Sequence, residues 1–476
     1  MGGCRRCRLS HAQGRNYDGA MTKATRVAAI VLCAGLVAAG AGQLSGNLDL
    51  RLGSGSVPQV IHTAQPGSDS TNRAASSVPK LDEQTARMSA AQDLLSARAA
   101  AVKTRNKSAW MATVDVPASA FRGRQSVAFD NLMKLPLGQF SYSTVQLAPA
   151  LAAARAQRVG PKAWVAKAPG TYSLAGYDRA PGSFEATYTL VQRPDGWRIA
   201  DDTDGTTAMQ MWDLPRMKVL RGRSCLVIGN APEAQMRDYS ATADSAVRRV
   251  TLVWGKNWNA HVVIVTPSTT GEFAKLLLRS ADAGLDQVAA ITQGVIDSGQ
   301  RAQGDRVVIN PKAFTALQHI GRRVVITHEL THVAARSSTT RPVPIWLSEG
   351  MADYVGYSGL DLPRAQVAAD LLTLVRQGKG PKVLPTEADF DPAQAKIAPF
   401  YSASWLAVSR LVDLYGQARV VAFYHSIAGG LTVNQAVESD PDAMTVQAFP
   451  KSFGVTQAQF VTGWRRYLTT LAQTSG

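Results

Sequence analysis

Val324 to Ala335 reads VVITHELTHVAA, and this stretch restricts what the chain can fold into more tightly than any other. Apolar residues flank His328, Glu329 and His332 on both sides, so the sequence predicts a largely buried helix, where unpaired imidazoles are costly. Helical positions four apart lie one turn apart on the same face, so both imidazoles reach a single metal ion, with the Glu329 carboxylate beside them. A second segment, PIWLSEGMADYV, brings Glu349 seventeen positions after His332 (349 − 332), and Asp353 follows it by one helical turn. Two histidines and one carboxylate leave a fourth position for water, the layout of a catalytic zinc centre and not of a closed structural one.

These residues carry a family resemblance. HELTH followed by WLSEGMADY resembles the gluzincin zinc metallopeptidases, and within them the bacterial peptidase MA-like families more closely than thermolysin or aminopeptidase N. The resemblance spans roughly Leu220 to Leu471, and its two motifs are its specific part. It implies that His328, His332 and Glu349 hold Zn2+, that Glu329 is the general base, and that Asp353 accepts a hydrogen bond from a ligand histidine. The interval from His332 to Glu349 is slightly shorter than in thermolysin or aminopeptidase N, and no GAMEN-like strand is present, so exopeptidase specificity is not implied. Gluzincins often supply a tyrosine from a helix after the third ligand, to hold the oxygen on which negative charge develops. Here that candidate is Tyr401, expected off the apolar stripe at the start of a helix that carries Trp405, Val408, Val412 and Tyr415 and closes at Gly416. The plainer reading of Tyr401 is a half-buried packing residue. His261, His319 and His425 stand alone and read as ordinary core or surface histidines. Phe460, Trp464, Tyr467, Leu468 and Leu471 form an aromatic stripe at helical spacing and read as core.

Composition narrows the remaining classes. With 476 residues the chain has room for two or three domains, and 45% apolar content argues for a mostly globular protein. The net charge of +16 is spread along the chain and forms no long Lys/Arg run. Such an excess attracts polyanions without selecting among them, and with no basic helix or aromatic-interleaved basic motif, nucleic acid is not an expected partner. Of the four cysteines, Cys4, Cys7 and Cys33 lie near the N-terminus and only Cys225 in the globular part, so no disulfide is available there. Cys4 and Cys7 have the spacing of half a zinc site, but no second pair completes it.

The class is α+β, in five parts. Residues 1–26 form a basic N-terminal tail. Residues 27–42, which include VAAIVLCAGLVAAGA, form a signal or transmembrane segment whose basic flank stays in the cytoplasm and leaves the rest of the chain outside. Ala39-Gly40-Ala41 offers a cleavage site, so secretion and a single membrane anchor are both open, and Met21 is a possible alternative start. Leu32 before Cys33 argues against lipoprotein processing. Residues 43–80 are a Gly/Ser/Pro-rich tether. Residues 81–205 form an accessory α+β domain. In it, Met88, Ala91, Leu95, Ala99 and Val102 mark a long amphipathic helix, and Phe184 to Ile199, turning at Arg193-Pro194-Asp195-Gly196, forms a hairpin with one buried face. Helix plus curved sheet resembles the cystatin-like or nuclear-transport-factor-like folds. Residues 206–476 form a zincin-like catalytic domain, with strands expected at Ser224 to Ile228, His261 to Val265, Ala289 to Ile296 and Arg306 to Asn310, and helices at Glu233 to Val250 and Thr270 to Leu278. The expected function is an extracytoplasmic zinc metallopeptidase acting on protein or peptide substrates. Two alternatives stand beside it: a non-catalytic envelope-binding protein with a structural or vestigial metal site, and a cell-wall peptide amidase. No feature sets an oligomeric state.

Overall fold

The computed structural model describes residues 78–160, 162–279, 285, 288–295, 302–341, 343–390, 397–429 and 441–474. The expected basic tail, the signal or transmembrane segment and nearly all of the tether lie outside the described residues. No described helix is long and apolar enough to cross a membrane.

The N-terminal unit opens with three helices, α1 (Val78–Lys103), α2 (Lys107–Ala112) and α3 (Ser119–Leu132). Asn106 caps α2, its side chain accepting a hydrogen bond from the Ala109 amide at 3.0 Å. Then follow β1 (Leu137–Tyr142), β2 (Gln146–Leu147), α4 (Ala153–Val159), β3 (Trp164–Leu174), β4 (Gly182–Arg193) and β5 (Gly196–Asp201). The strands pair antiparallel in the order β1-β3-β4-β5, and β2 joins β3. Ala91 and Leu95 of α1 pack on Trp164, Ala186 and Ile199, which gives the sheet its first buried face.

The hairpin departs from the one-sided burial the sequence predicts. Gly182 to Glu185 of β4 alternate buried and exposed, but Ala186 to Val191 are buried on both faces. The segment after β5 folds over the outer face: the Thr187 amide donates to Thr207 Oγ1 at 2.8 Å, and Thr189 Oγ1 donates to Asp204 Oδ2 at 2.6 Å. Threonine suits this position because its hydroxyl meets a partner where a purely apolar side chain would leave that segment's polar atoms orphaned.

After a 3-10 turn at Met211–Asp213 come β6 (Lys218–Arg221), β7 (Cys225–Gly229), α5 (Glu233–Trp254), β8 (Val262–Thr266), α6 (Thr270–Leu276), β9 (Ala290–Val295) and β10 (Gln303–Ile309). The remainder is helical: α7 (Pro311–Ala316), α8 (His319–Ser338), α9 (Ile345–Tyr357), α10 (Arg364–Val367), α11 (Ala369–Arg376), α12 (Ala398–Tyr415), α13 (Gln417–Ala428), α14 (Pro441–Phe453) and α15 (Gln457–Thr474). The sheet runs β6-β7-β8-β10-β9, with β7, β8 and β10 parallel and with β6 and β9 antiparallel at its two edges.

CLVIG and VVIVT are buried throughout, and apolar but for Thr266, because both faces of this sheet are covered. Val227, Ile264, Val307 and Ile309 belong to the same core as Val250 of α5 and Val325 and Ile326 of α8. Leu226, Ile228, Val263, Val265 and Val308, their neighbours in sequence, belong to a second core with Phe273 of α6 and with Tyr172, Phe184 and Trp212 from the N-terminal side of the chain. The period of two along each strand thus divides the sheet between a helical layer and the accessory unit.

Candidate metal centre

α8 runs beneath the sheet with residues 324–336 buried, polar and apolar alike. α9 starts directly after Pro344 and packs along α8, so its two acidic residues, one turn apart, share the face turned to His328. The two ring nitrogens of His328 are divided between them. Nδ1 lies 2.7 Å from Asp353 Oδ1, and Nε2 lies 3.2 Å from Glu349 Oε2. His332 Nε2 is 3.5 Å from the same Glu349 oxygen and 3.0 Å from His328 Nε2. Among the described residues, His328, His332 and Glu349 form the one group of three whose ligand atoms could share a metal ion.

The donor set fits such an ion. A tetrahedral centre with bonds of about 2.0–2.1 Å holds its ligand atoms about 3.3 Å apart. The three edges here are 3.0, 3.2 and 3.5 Å. Glu349 Oε2 is buried and makes no hydrogen bond among the described residues, although both imidazoles are close. Buried carboxylate oxygens are rarely left this way. Two Nε2 atoms facing one another at 3.0 Å are compatible only if a proton sits between them. One divalent cation would satisfy all three atoms at once, with Asp353 fixing the tautomer of His328 from behind.

Charge in the pocket is strongly coupled. Burial disfavours the His328 imidazolium, but Asp353 and Glu349 outweigh it and raise the ring to about 10. Burial likewise works against ionised Glu349, yet His332 and His328 hold it down at about 2. A cation at His328 Nε2 would be held by Glu349 as a ligand, with Asp353 on Nδ1 behind the ring.

Glu329 is fully buried, and burial raises its carboxyl above the usual glutamate range. Its Oε2 accepts a hydrogen bond from Thr292 Oγ1 at 2.5 Å, and its Oε1 makes none. Thr292, on β9, is a residue in contact with this site that the sequence does not reveal. A strand is legible there from alternation, but nothing local ties a threonine to a glutamate 37 positions away. The sequence is equally silent on Arg336, one turn beyond His332: its Nη2 donates to the Gly294 carbonyl at 2.9 Å and to Asp305 Oδ1 at 3.0 Å, tying α8 to β9 and β10.

Tyr401 does not stand off the apolar stripe. It is buried in a small cluster with Phe390 and Ile397, its ring 4.8 Å from that of Phe390 and 6.5 Å from that of His328. Pro399 stands in the first turn of α12, where its missing N–H leaves no intrahelical bond unmade, and Tyr401 follows it two residues on, buried. Of the lone histidines, His261 meets Tyr177 edge-on at 6.2 Å, His425 lies 4.6 Å from the Trp254 ring, and His319 opens α8; none joins the ligand group.

Gly350 lets the centre close. A Cβ there would sit 2.4 Å from the Ser404 carbonyl oxygen, so only glycine lets α12 lie against α9 at the residue next to Glu349.

Comparison with known proteins agrees with this geometry. No curated protein matches the chain. Residues 299–444, the stretch that carries α8, α9 and α12 and with them all three candidate ligands, match the model of the Peptidase MA superfamily, which supports a zincin-like peptidase.

Proposed function

We propose that the chain is a zinc-dependent metallopeptidase of the gluzincin type, with His328, His332 and Glu349 as the ligands. The observation that carries this reading is the buried triangle of two imidazole nitrogens and an orphaned carboxylate oxygen at tetrahedral spacing. Bound there, zinc supplies a Lewis acid for the scissile carbonyl and a water of lowered pKa.

The chain's own residues do the rest. Glu329, already inclined by burial to hold a proton, takes one from water at its free Oε1 and delivers it to the leaving amine. Asp353 orients His328. Tyr401, beside the His328 ring, is the candidate donor to the carbonyl oxygen as charge develops on it. β9, the outer strand of its sheet among the described residues, offers a backbone edge on which an extended peptide can align.

The basic run before the apolar segment in residues 1–42 supports a catalytic unit outside the cytoplasmic membrane, anchored or secreted. The N-terminal helix-plus-sheet unit then serves as a cystatin-like or nuclear-transport-factor-like support.

The test is hydrolysis of casein by the chain from Leu81 onward, with and without chelator, beside Glu329→Gln. The substitution is expected to keep zinc and to lower turnover by at least about 100-fold, the scale of a lost general base. Full activity in Glu329→Gln would remove that residue from its role. Bound zinc without cleavage of any protein would favour a structural metal in a binding protein, and cleavage confined to wall peptides would favour an amidase.

A further inference from the structure

We infer that Thr292 is the positioning residue of the general base: it occupies Glu329 Oε2 and leaves Oε1 as the oxygen that exchanges protons. The inference rests on the peptidase reading for its consequence and on geometry for its substance. Thr292 is fully buried, and its hydroxyl lies 2.5 Å from Glu329 Oε2 and 3.2 Å from the Glu329 carbonyl oxygen. A hydroxyl has one hydrogen to give, and the shorter contact, to the carboxyl oxygen, is the stronger. Oε1 has no partner among the described residues, so the carboxylate is held at one oxygen and open at the other.

The strand that carries Thr292 is itself fixed on both sides. Thr292 pairs with Val307 of β10, and two residues on, the Gly294 carbonyl accepts from Arg336 of α8. β9 therefore cannot slide along α8 without breaking that contact, and the hydroxyl stays under Glu329. A free glutamate has three rotatable bonds before its carboxylate, and in this pocket one contact from the sheet selects the rotamer. Misplacing a catalytic group by about an ångström costs roughly 100-fold in rate.

The experiment compares the full zinc-loaded chain with Thr292→Val, Thr292→Ala and Thr292→Ser, using casein peptides for kinetics. Glu329→Gln serves as the reference for an infrared difference spectrum that isolates the Glu329 carboxylate band. Valine and alanine are expected to keep bound zinc and KM, to lose roughly 10- to 100-fold in kcat, and to shift the Glu329 band. Serine, which keeps the hydroxyl, is expected to recover most of kcat and to restore the band position. A merely structural threonine would move thermal stability in all variants and leave kcat and the band alone. The inference is overturned if the band stays in place in valine and alanine, or if serine shifts it as far as they do. Wild-type chain that binds zinc and cleaves nothing would defeat the peptidase reading instead, and the infrared comparison would still decide whether Thr292 holds Glu329.

Discussion

His328 shows how much a single side chain settles. Its two nitrogens face Glu349 and Asp353, and the pair of carboxylates raises the ring to about 10 from an ordinary 6.5. A histidine raised on folding contributes stability that is fully present below its unfolded value and is lost as pH rises through its folded value. The metal-free chain is therefore expected to lose stability between about pH 6.5 and 10, and the zinc-loaded chain to lose less, because the ion stands in for the proton. Asp353→Asn is expected to flatten that pH dependence and to weaken zinc binding by about 10- to 100-fold. Thermal melts across pH, with and without zinc, check the first part, and competition with a chelating dye checks the second; a variant with wild-type affinity would dismiss Asp353 as a support. The two histidines and Glu329 are legible in the sequence because helical spacing alone puts them together. Thr292 is not, because its contact forms between a strand and a helix and leaves no periodic trace.

Elements meet closely here only where small residues allow it. Gly350 takes the Ser404 carbonyl against its Cα, and Gly416, at φ +84, ends α12 with its amide on the Val412 carbonyl and turns the chain into α13. Gly350→Ala is expected to cost about 1–3 kcal/mol through overpacking and, because Glu349 is its neighbour, to lower bound zinc as well. Metal analysis of the folded variant separates this from a purely local strain, which would leave zinc content intact. Element positions were readable where the pattern is local: the strand expected at Ser224 to Ile228 forms over Cys225–Gly229, and the helix expected from Glu233 runs on to Trp254. Tyr401 and the outer face of β4 were misread for one reason. Each is buried by a segment outside its own element, Phe390 in one case and residues 204–207 in the other, where helix or strand periodicity gives no sign of it.

At the scale of the molecule, the N-terminal helix-plus-sheet unit is a wall of the second sheet. Tyr172, Phe184 and Trp212 complete the core over Leu226, Val263 and Val308, and the buried Asp178–Arg306 pair, at 2.7 Å, bridges the two units. Asp178→Ala would leave the Arg306 guanidinium buried without its counter-charge, a loss of about 3–5 kcal/mol. Unfolding is expected to remain a single transition at lower temperature; two separate transitions would mean that the units fold independently. The same wall supports β10, which holds β9 and, through Thr292, Glu329. A titration of zinc into the metal-free full chain, following bound metal and casein cleavage together, bears most directly on the whole account. Cleavage is expected to rise in step with bound zinc and to level off at one ion per chain; cleavage by the metal-free chain, or a fully loaded chain that cleaves nothing, would contradict it.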